Sequence, residues 1–244
     1  MVMRLKTVQA SSIKGVFEVL KDILDDINIV FTAKGVEILA MDTASVVLVH
    51  VFLDSVNFEE YSCPEDITAG VNVSNLFKLL KSVSSQDTLD MSITGRDVMT
   101  IDISAKKSVT QFRLKLLDLN EDSLNVEDNE AECITTMPSS DFQKIIRDMG
   151  SLSSFVKISR TGEQLAFECE GDFADQHTVI ECLPTDIDVS DTYSLKFLNM
   201  FIKATAMSSS VQILHTDQMP IVFRYSIANL GQLKFYLAAR AGDN

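Results

Sequence analysis

The amino-acid sequence predicts an α+β protein with two similar halves. Most of its 244 residues have strand character, and four short amphipathic segments with helical periodicity interrupt the strands at wide intervals. The order strand, helix, strands, helix, strands occurs once on each side of a break between Lys115 and Lys144. Two halves with the same order of elements indicate an internal duplication.

The strand prediction rests on apolar patterning and on the turn signals between runs. Residues 46–53 form an apolar run rich in β-branched side chains, which favours a buried strand. Residues 99–104 and 109–116 largely alternate apolar with polar side chains, as expected for half-buried strands. Glycine-containing turn signals lie at 33–35, 94–96 and 161–163.

The helix prediction rests on apolar stripes at a spacing of about 100° per residue over 11–22, 73–82, 140–149 and 194–204. Each segment can bury one side on a sheet and expose the other. The predicted buried stripes are Ile13, Val16, Phe17 and Leu20; Leu76, Leu79 and Leu80; Phe142, Ile145, Ile146 and Met149; and Phe197, Met200, Phe201 and Ala204. Lys14 and Lys21 flank the first stripe, where we expect their stems to run along the sheet and their heads to reach outward.

The charge of the four segments differs in sign from that of the chain. The chain has 21 Lys and Arg against 35 Asp and Glu, for a formal net charge of −14. The four segments are net positive. Any amphipathic helix carries charged side chains on its outward side, so the informative feature is the positive sign of these charges. Their basic residues are Lys14, Lys21, Lys78, Lys81, Lys144, Arg147, Lys196 and Lys203. If the helices line one surface, it would contact phosphate without reading base sequence.

Other chemistries have little support in the sequence. We expect no secretion signal, no membrane span, reduced cysteines, and neither a cofactor nor a metal, because the corresponding apolar runs and ligand spacings are missing. The chain also has no Walker loop, HExxH or GxSxG motif, so we expect it not to be an enzyme. The alternative from another class is a metal-dependent nuclease. Its acidic pairs would be Asp25 and Asp26, Asp172 and Asp175, or Asp186 and Asp188.

Stretches along nearly the whole chain resemble the proliferating cell nuclear antigen family of eukaryotic-type DNA sliding clamps. They are 40–46, 70–81, 137–142 with 147–148, 199–205, and 219–228 with 233–238. The resemblance implies two duplicated clamp domains, 1–117 and 133–244, joined by a connector over 118–132. It also implies a head-to-tail homotrimeric ring around duplex DNA, with sheets outside and helices inside. Such a ring acts as a DNA polymerase processivity factor and as a docking platform for replication and repair proteins.

The resemblance assigns roles to particular residues. The eight basic residues become the DNA-binding lining of the channel, and the strand at 109–116 joins the strand at 177–182 of the next subunit. The connector borders a pocket for partner peptides that contain a Gln and paired aromatic residues, including peptides of the polymerase and the clamp loader. The residues matching this pocket are Met41, Val46, Leu124, Val126, Pro220 and Tyr236.

The sequence departs from the family pattern at three places. Glu127 stands where the connector usually has Pro, and Leu237-Ala238-Ala239 replaces Leu-Ala-Pro. The loop around Arg160 has no lysine where the family attaches ubiquitin. A monomeric or heterotrimeric clamp subunit stays open as the alternative within the same class. Localisation is expected to be nuclear for a cellular protein, or the host nucleus or a cytoplasmic replication site for a viral one.

Overall fold

The computed structural model describes residues 2–95, 97–119, 124 and 131–240, and it confirms the α+β class. The chain divides into two compact units. The first comprises Met1–Thr43, Val49–Asn125 and Ser226–Leu233, and the second comprises Ala44–Leu48, Val126–Tyr225 and Lys234–Asn244. The predicted domain limits at 117 and 133 stay a prediction.

The first unit follows the predicted order of elements. Its elements are β1 Met3–Thr7, α1 Ala10–Leu20, β2 Asp26–Thr32, β3 Gly35–Met41, β4 Val47–Asp54, β5 Glu60–Ser62, β6 Ile67–Asn72, α2 Val73–Leu80, β7 Thr88–Ile93, β8 Val98–Ala105 and β9 Ser108–Lys115. One antiparallel sheet has the order β5-β1-β7-β8-β9, and β6, β2, β3 and β4 are neighbours in another. The three predicted strand runs correspond to β4, β8 and β9.

The core of the first unit lies between its helices and both groups of strands. Ile13 and Phe17 of α1 line the same apolar space as Leu5 of β1, Phe31 of β2 and Met91 of β7. All five side chains are at most 5% exposed. The alternation of buried and half-buried residues in β1 and β7 puts one face of this sheet toward the helix.

The second unit repeats this arrangement. Its elements are β10 Cys133–Pro138, α3 Ser139–Gly150, β11 Phe155–Thr161, β12 Gln164–Cys169, β13 Gln176–Glu181, β14 Asp188–Ser194, α4 Leu195–Phe201, a 3-10 helix Ile202–Ala206, β15 Ser210–His215, β16 Ile221–Ile227 and β17 Gly231–Leu237. One antiparallel sheet has the order β13-β12-β11-β14, and β10, β15, β16 and β17 are neighbours in another.

Phenylalanine rings hold the helices of the second unit to its strands. The Phe142 ring of α3 lies 5.2 Å from that of Phe223 on β16 and 6.1 Å from that of Phe167 on β12. The Phe201 ring of α4 stacks on Phe235 of β17 at 4.3 Å. Each such pair contributes roughly 0.5–1.5 kcal/mol beyond the burial of its area. These rings pack α3 against both sheets of the unit and α4 against the sheet that contains β16 and β17.

The predicted apolar stripes are correct for the first three helices, although Leu79 and Ile145 are only half-buried. The stripe predicted for the fourth helix is wrong in part. Leu195 and Leu198 are buried, whereas Phe197 and Met200 are half-buried. At about 100° per residue, Leu195, Leu198 and Phe201 share one side of α4, and the predicted stripe is centred on the neighbouring side. Ala204 is also buried, but it lies beyond α4 in the 3-10 helix, which has three residues per turn.

Two basic side chains are buried near each other in the second unit. Arg160 is 1% exposed, and its guanidinium donates to the carbonyls of Gly162 (2.7 Å) and Gln164 (3.2 Å). His215 is 4% exposed, and neither ring nitrogen has a hydrogen-bond partner among the described residues. Burial, and secondarily the charge of Arg160, lowers the pKa of His215 to about 4. The histidine is therefore neutral in the folded protein above that pH.

His215 makes the stability of the protein depend on pH. Below its ordinary value of 6.5 the unfolded chain binds a proton that the folded chain takes up only near pH 4. Stability should therefore fall as pH drops through this window, by up to about 3 kcal/mol. Urea unfolding at a series of pH values should show a shallower loss in His215→Leu than in the wild type. Equal pH slopes in the two proteins would contradict this assignment.

Candidate nucleic-acid interface

The second helix of the first unit presents two exposed cations. α2 begins after Asn72, whose side-chain oxygen accepts from the backbone N–H of Asn75 at 3.0 Å and caps the helix. Lys78 lies in the last turn and Lys81 directly follows the helix. This is the negative end of the helix dipole, which favours cations there. Both side chains are exposed to solvent, and the Lys78 ammonium donates to the Asn75 side chain on the helix surface at 3.2 Å.

The first helix of this unit differs from the prediction. The Lys14 ammonium donates to the carbonyl of Val83 at 2.7 Å, and the Lys21 ammonium pairs with Asp22 at 2.8 Å. Lys21 Nζ also lies 5.5 Å from the centroid of the Phe77 ring on α2. The expectation that the head reaches outward is wrong for Lys14, because its ammonium binds a buried residue. Lys21 pairs with the next carboxylate along the chain, and its side chain is 28% exposed. The adjacent Asp22 could have been noticed in the sequence, whereas Val83 is 69 residues away from Lys14.

The helices of the second unit carry the other four predicted cations. Lys144 and Arg147 on α3, Lys196 on α4 and Lys203 on the 3-10 helix are all exposed. Lys196 Nζ lies 5.5 Å from the centroid of the neighbouring Phe197 ring. Within the described part of the chain, neither Lys144 nor Arg147 forms an ion pair. This helix pair therefore exposes positive charge on an acidic protein.

The amides of these helices are engaged inside their own units. Asn75 accepts from the Lys78 ammonium at 3.2 Å. Gln143 donates to the carbonyl of Ile202 at 3.0 Å, and Asn199 donates to that of Leu195 at 2.8 Å. Side-chain amides are among the groups that read base edges. Because these amides form internal hydrogen bonds, the cations are the groups that remain for a nucleic acid. Cations contact phosphates, which are the same in any base sequence.

Each unit also ends one of its sheets in an exposed edge strand. Among the described residues, β9 has β8 as its only neighbour, and β13 has β12. Val109 on β9 is 68% exposed and Val179 on β13 is 42% exposed. An edge strand presents unpaired backbone N–H and C=O groups to another chain. These two edges are the strands that the sequence predicted for subunit contact.

The residues predicted for the partner-peptide pocket are distributed over both units. Met41 and Leu124 belong to the first, with side chains 43% and 40% exposed. Pro220 is exposed in the second unit, where Val46 and Tyr236 are half-buried. Val126 lies outside the described residues. Their joint role as a pocket stays a prediction.

The acidic pairs that a nuclease would need are engaged in local structure. Asp26 accepts from the Asn72 amide at 2.7 Å, Asp188 accepts from the Thr161 hydroxyl at 2.6 Å, and Asp175 accepts from the backbone N–H of Gly171 at 3.3 Å. Among the described residues, no three His, Cys, Asp or Glu side chains are grouped so that they could hold a metal ion. None of the described helices has the length and apolar character to cross a membrane.

Comparison with known proteins covers nearly the entire chain. Residues 2–125 match the family model of the N-terminal domain of proliferating cell nuclear antigen, and residues 125–240 match that of its C-terminal domain. The chain is 36% identical over 249 residues to the probable DNA polymerase sliding clamp 1 of Paramecium bursaria Chlorella virus 1, covering 96% of this chain and 95% of the relative. It is 32% identical over 251 residues to the proliferating cell nuclear antigen of Chaetomium thermophilum, covering 97% of each.

Two similar α+β units, each with a helix pair that exposes cations, are typical of the class of DNA sliding clamps. With both domains matched, the chain belongs to the proliferating cell nuclear antigen family. Proteins of this family are DNA polymerase processivity factors and are not enzymes. The resemblance read from the sequence is confirmed.

We expect the exposed lysines of α2 to contribute to the salt dependence of DNA binding. Replacing Lys78 and Lys81 with Gln should lower the slope of log affinity against log salt concentration by about 2, because each phosphate contact contributes about 0.9. Fluorescence anisotropy with a short duplex over a salt series measures this slope.

Lys34 and Lys157 provide the matched control. Both are exposed, and neither lies on a helix. Their double replacement with Gln changes the net charge equally and should leave the slope near the wild-type value. A similar loss of slope in both double variants would show that total charge, and not α2, determines binding.

Proposed function

We propose that this protein is a homotrimeric DNA sliding clamp that encircles duplex DNA. The observation that carries the proposal is the presence of two different exposed edge strands, β9 and β13, one in each unit. A contact between unlike surfaces is heterologous, and it produces a closed ring when the rotation between subunits closes. Family membership supports closure with three subunits.

The helix pairs are proposed to face the DNA within the ring. Their exposed cations would contact phosphates of any sequence, and these contacts are weak and easily exchanged. The acidic remainder of the chain disfavours DNA on the other surfaces, since the formal net charge is −14. The ring would therefore hold DNA by topology while the lysines permit sliding.

The ring is also proposed to dock DNA polymerase, a clamp loader and other replication and repair proteins. The six pocket residues named above would receive a partner peptide with a Gln and paired aromatic residues. Met41 and Leu124 are exposed apolar side chains, which are favourable anchors for such a peptide. Glu127 and Ala239 depart from the family pattern, so we expect the selectivity for partner peptides to differ. The protein would act at sites of DNA replication, in the nucleus or, if viral, in a host compartment.

The oligomeric state tests ring closure. Light scattering should give the mass of a trimer of the 27.1 kDa chain. Val109→Asp, on the exposed edge β9, should shift the protein toward monomers, because a carboxylate would be buried without a partner.

Val56→Asp is the matched control for this substitution. Val56 is 80% exposed on the short 3-10 helix Ser55–Asn57, so the same change is made outside the edge strands. It should leave the trimer intact. A wild-type protein that is monomeric at all concentrations would overturn the proposed ring.

Retention on circular DNA tests encirclement separately. Protein loaded onto nicked circular DNA by a clamp loader should remain bound at a salt concentration that abolishes binding to a short duplex. Cutting the circle should release it, because a ring slides off a free end. Gel filtration of the DNA-bound fraction before and after cutting measures retention. Equal retention on circular and linear DNA would contradict a topological link.

A further inference from the structure

We propose that Lys14 is a positioning residue, which ties α1 to the end of α2, and that it does not contact DNA phosphate. The DNA-facing charge of the first unit then lies on α2, at Lys78 and Lys81. The part of this inference that concerns DNA rests on the proposed function. The contact between the helices is a property of the unit and can be measured without DNA.

The geometry of Lys14 is that of an internal contact. Its side chain is half-buried, and its ammonium lies 2.7 Å from the carbonyl oxygen of Val83. Val83 is 2% exposed and lies three residues beyond Leu80, where α2 ends. Its own N–H donates to the carbonyl of Leu80 at 2.9 Å, so it continues the helix end as a tight turn. The carbonyl of this buried residue needs a hydrogen-bond donor, and the Lys14 ammonium supplies one.

The second unit makes a similar contact with a neutral side chain, to a carbonyl three positions earlier along its second helix. Lys14 is the fifth residue of α1, and Gln143 is the fifth residue of α3. Gln143 donates to the carbonyl of Ile202, just past the end of α4, at 3.0 Å. The buried positions of the two helices match in the same register, as the pairs Ala10 and Ser139, Ile13 and Phe142, Phe17 and Ile146, and Leu20 and Met149. Because an amide serves in one unit, the function at this position requires a donor and not a charge.

A second contact between the helices repeats in the same register. Lys21 lies over the ring of Phe77, the fifth residue of α2. In the second unit the equivalent position is Gly150, which faces Asn199, the fifth residue of α4. A Cβ on Gly150 would lie 2.6 Å from the Asn199 amide nitrogen, so the helices approach closely there. Each helix pair therefore approaches closely at two points, and the second unit has neutral residues at both.

Two substitutions at Lys14 separate positioning from phosphate contact. Lys14→Gln keeps a donor and removes the charge, whereas Lys14→Met keeps the stem and removes both. We expect hydrogen–deuterium exchange over 79–84 to be unchanged in Lys14→Gln and several-fold faster in Lys14→Met. We expect the salt slope of DNA binding to be unchanged in Lys14→Gln. In Lys14→Met, affinity should fall about two- to fivefold because α2 and its two lysines are less well placed.

The possible results lead to distinct conclusions. If both variants lose about 0.9 from the salt slope, Lys14 is a phosphate contact and the inference is wrong. If exchange over 79–84 is unchanged in Lys14→Met, the carbonyl contact does not hold the helix end and the inference is equally wrong. If the variant with Lys78 and Lys81 replaced also keeps the full salt slope of DNA binding, the proposed DNA-facing role of α2 is wrong. The exchange data still test the contact between Lys14 and Val83 independently.

Discussion

In both units a pair of helices packs against two groups of strands. This packing determines where the charged side chains of those helices can lie. In the second unit, Phe142 and Phe201 each contact strands through stacked or tilted rings. In the first unit, Ile13 and Phe17 of α1 enter an apolar space lined by several strands. Once one side of a helix is buried in this way, its cations are confined to the opposite side and to the seam between the helices. The candidate DNA surface is thus a consequence of core packing.

Lysine occurs both in the seam, which is the contact between the two helices of a pair, and on the open face, which is their solvent-exposed side. Its role differs between the two places. Lys14 and Lys21 lie in the seam of the first unit, where a carbonyl, a carboxylate and an aromatic ring surround their heads. Lys78 and Lys81 lie on the open face. A contact between exposed charges contributes at most about 1 kcal/mol and is screened by salt. In the proposed ring, such contacts would centre the DNA but would be too weak to retain it. The closed ring itself would therefore retain the DNA.

Most of the elements could be predicted from the sequence because their patterns are local. The strands near 46–53, 99–104 and 109–116 follow from alternation and turn signals, and the order of elements in the two halves follows from repetition. The first and third helical segments both end in two apolar residues, a basic residue and Asp, at 19–22 and 145–148. Matching these endings pairs Lys21 with Arg147, whereas the buried positions pair it with Gly150. Similar endings can shift by about one helical turn, and only packing shows which residues are equivalent.

The sequence by itself determined the class of fold and the presence of cations on helices in an acidic chain, because periodicity and composition are properties of neighbouring residues. It also indicated the family, through stretches that resemble the family's own sequence. The tertiary structure alone decided which of those cations are exposed and which are engaged. Lys14 meets Val83 across 69 positions, and the rings of α4 meet strands far along the chain. Contacts of this kind depend on how the helices pack against each other and against the strands. A local sequence pattern does not contain that information.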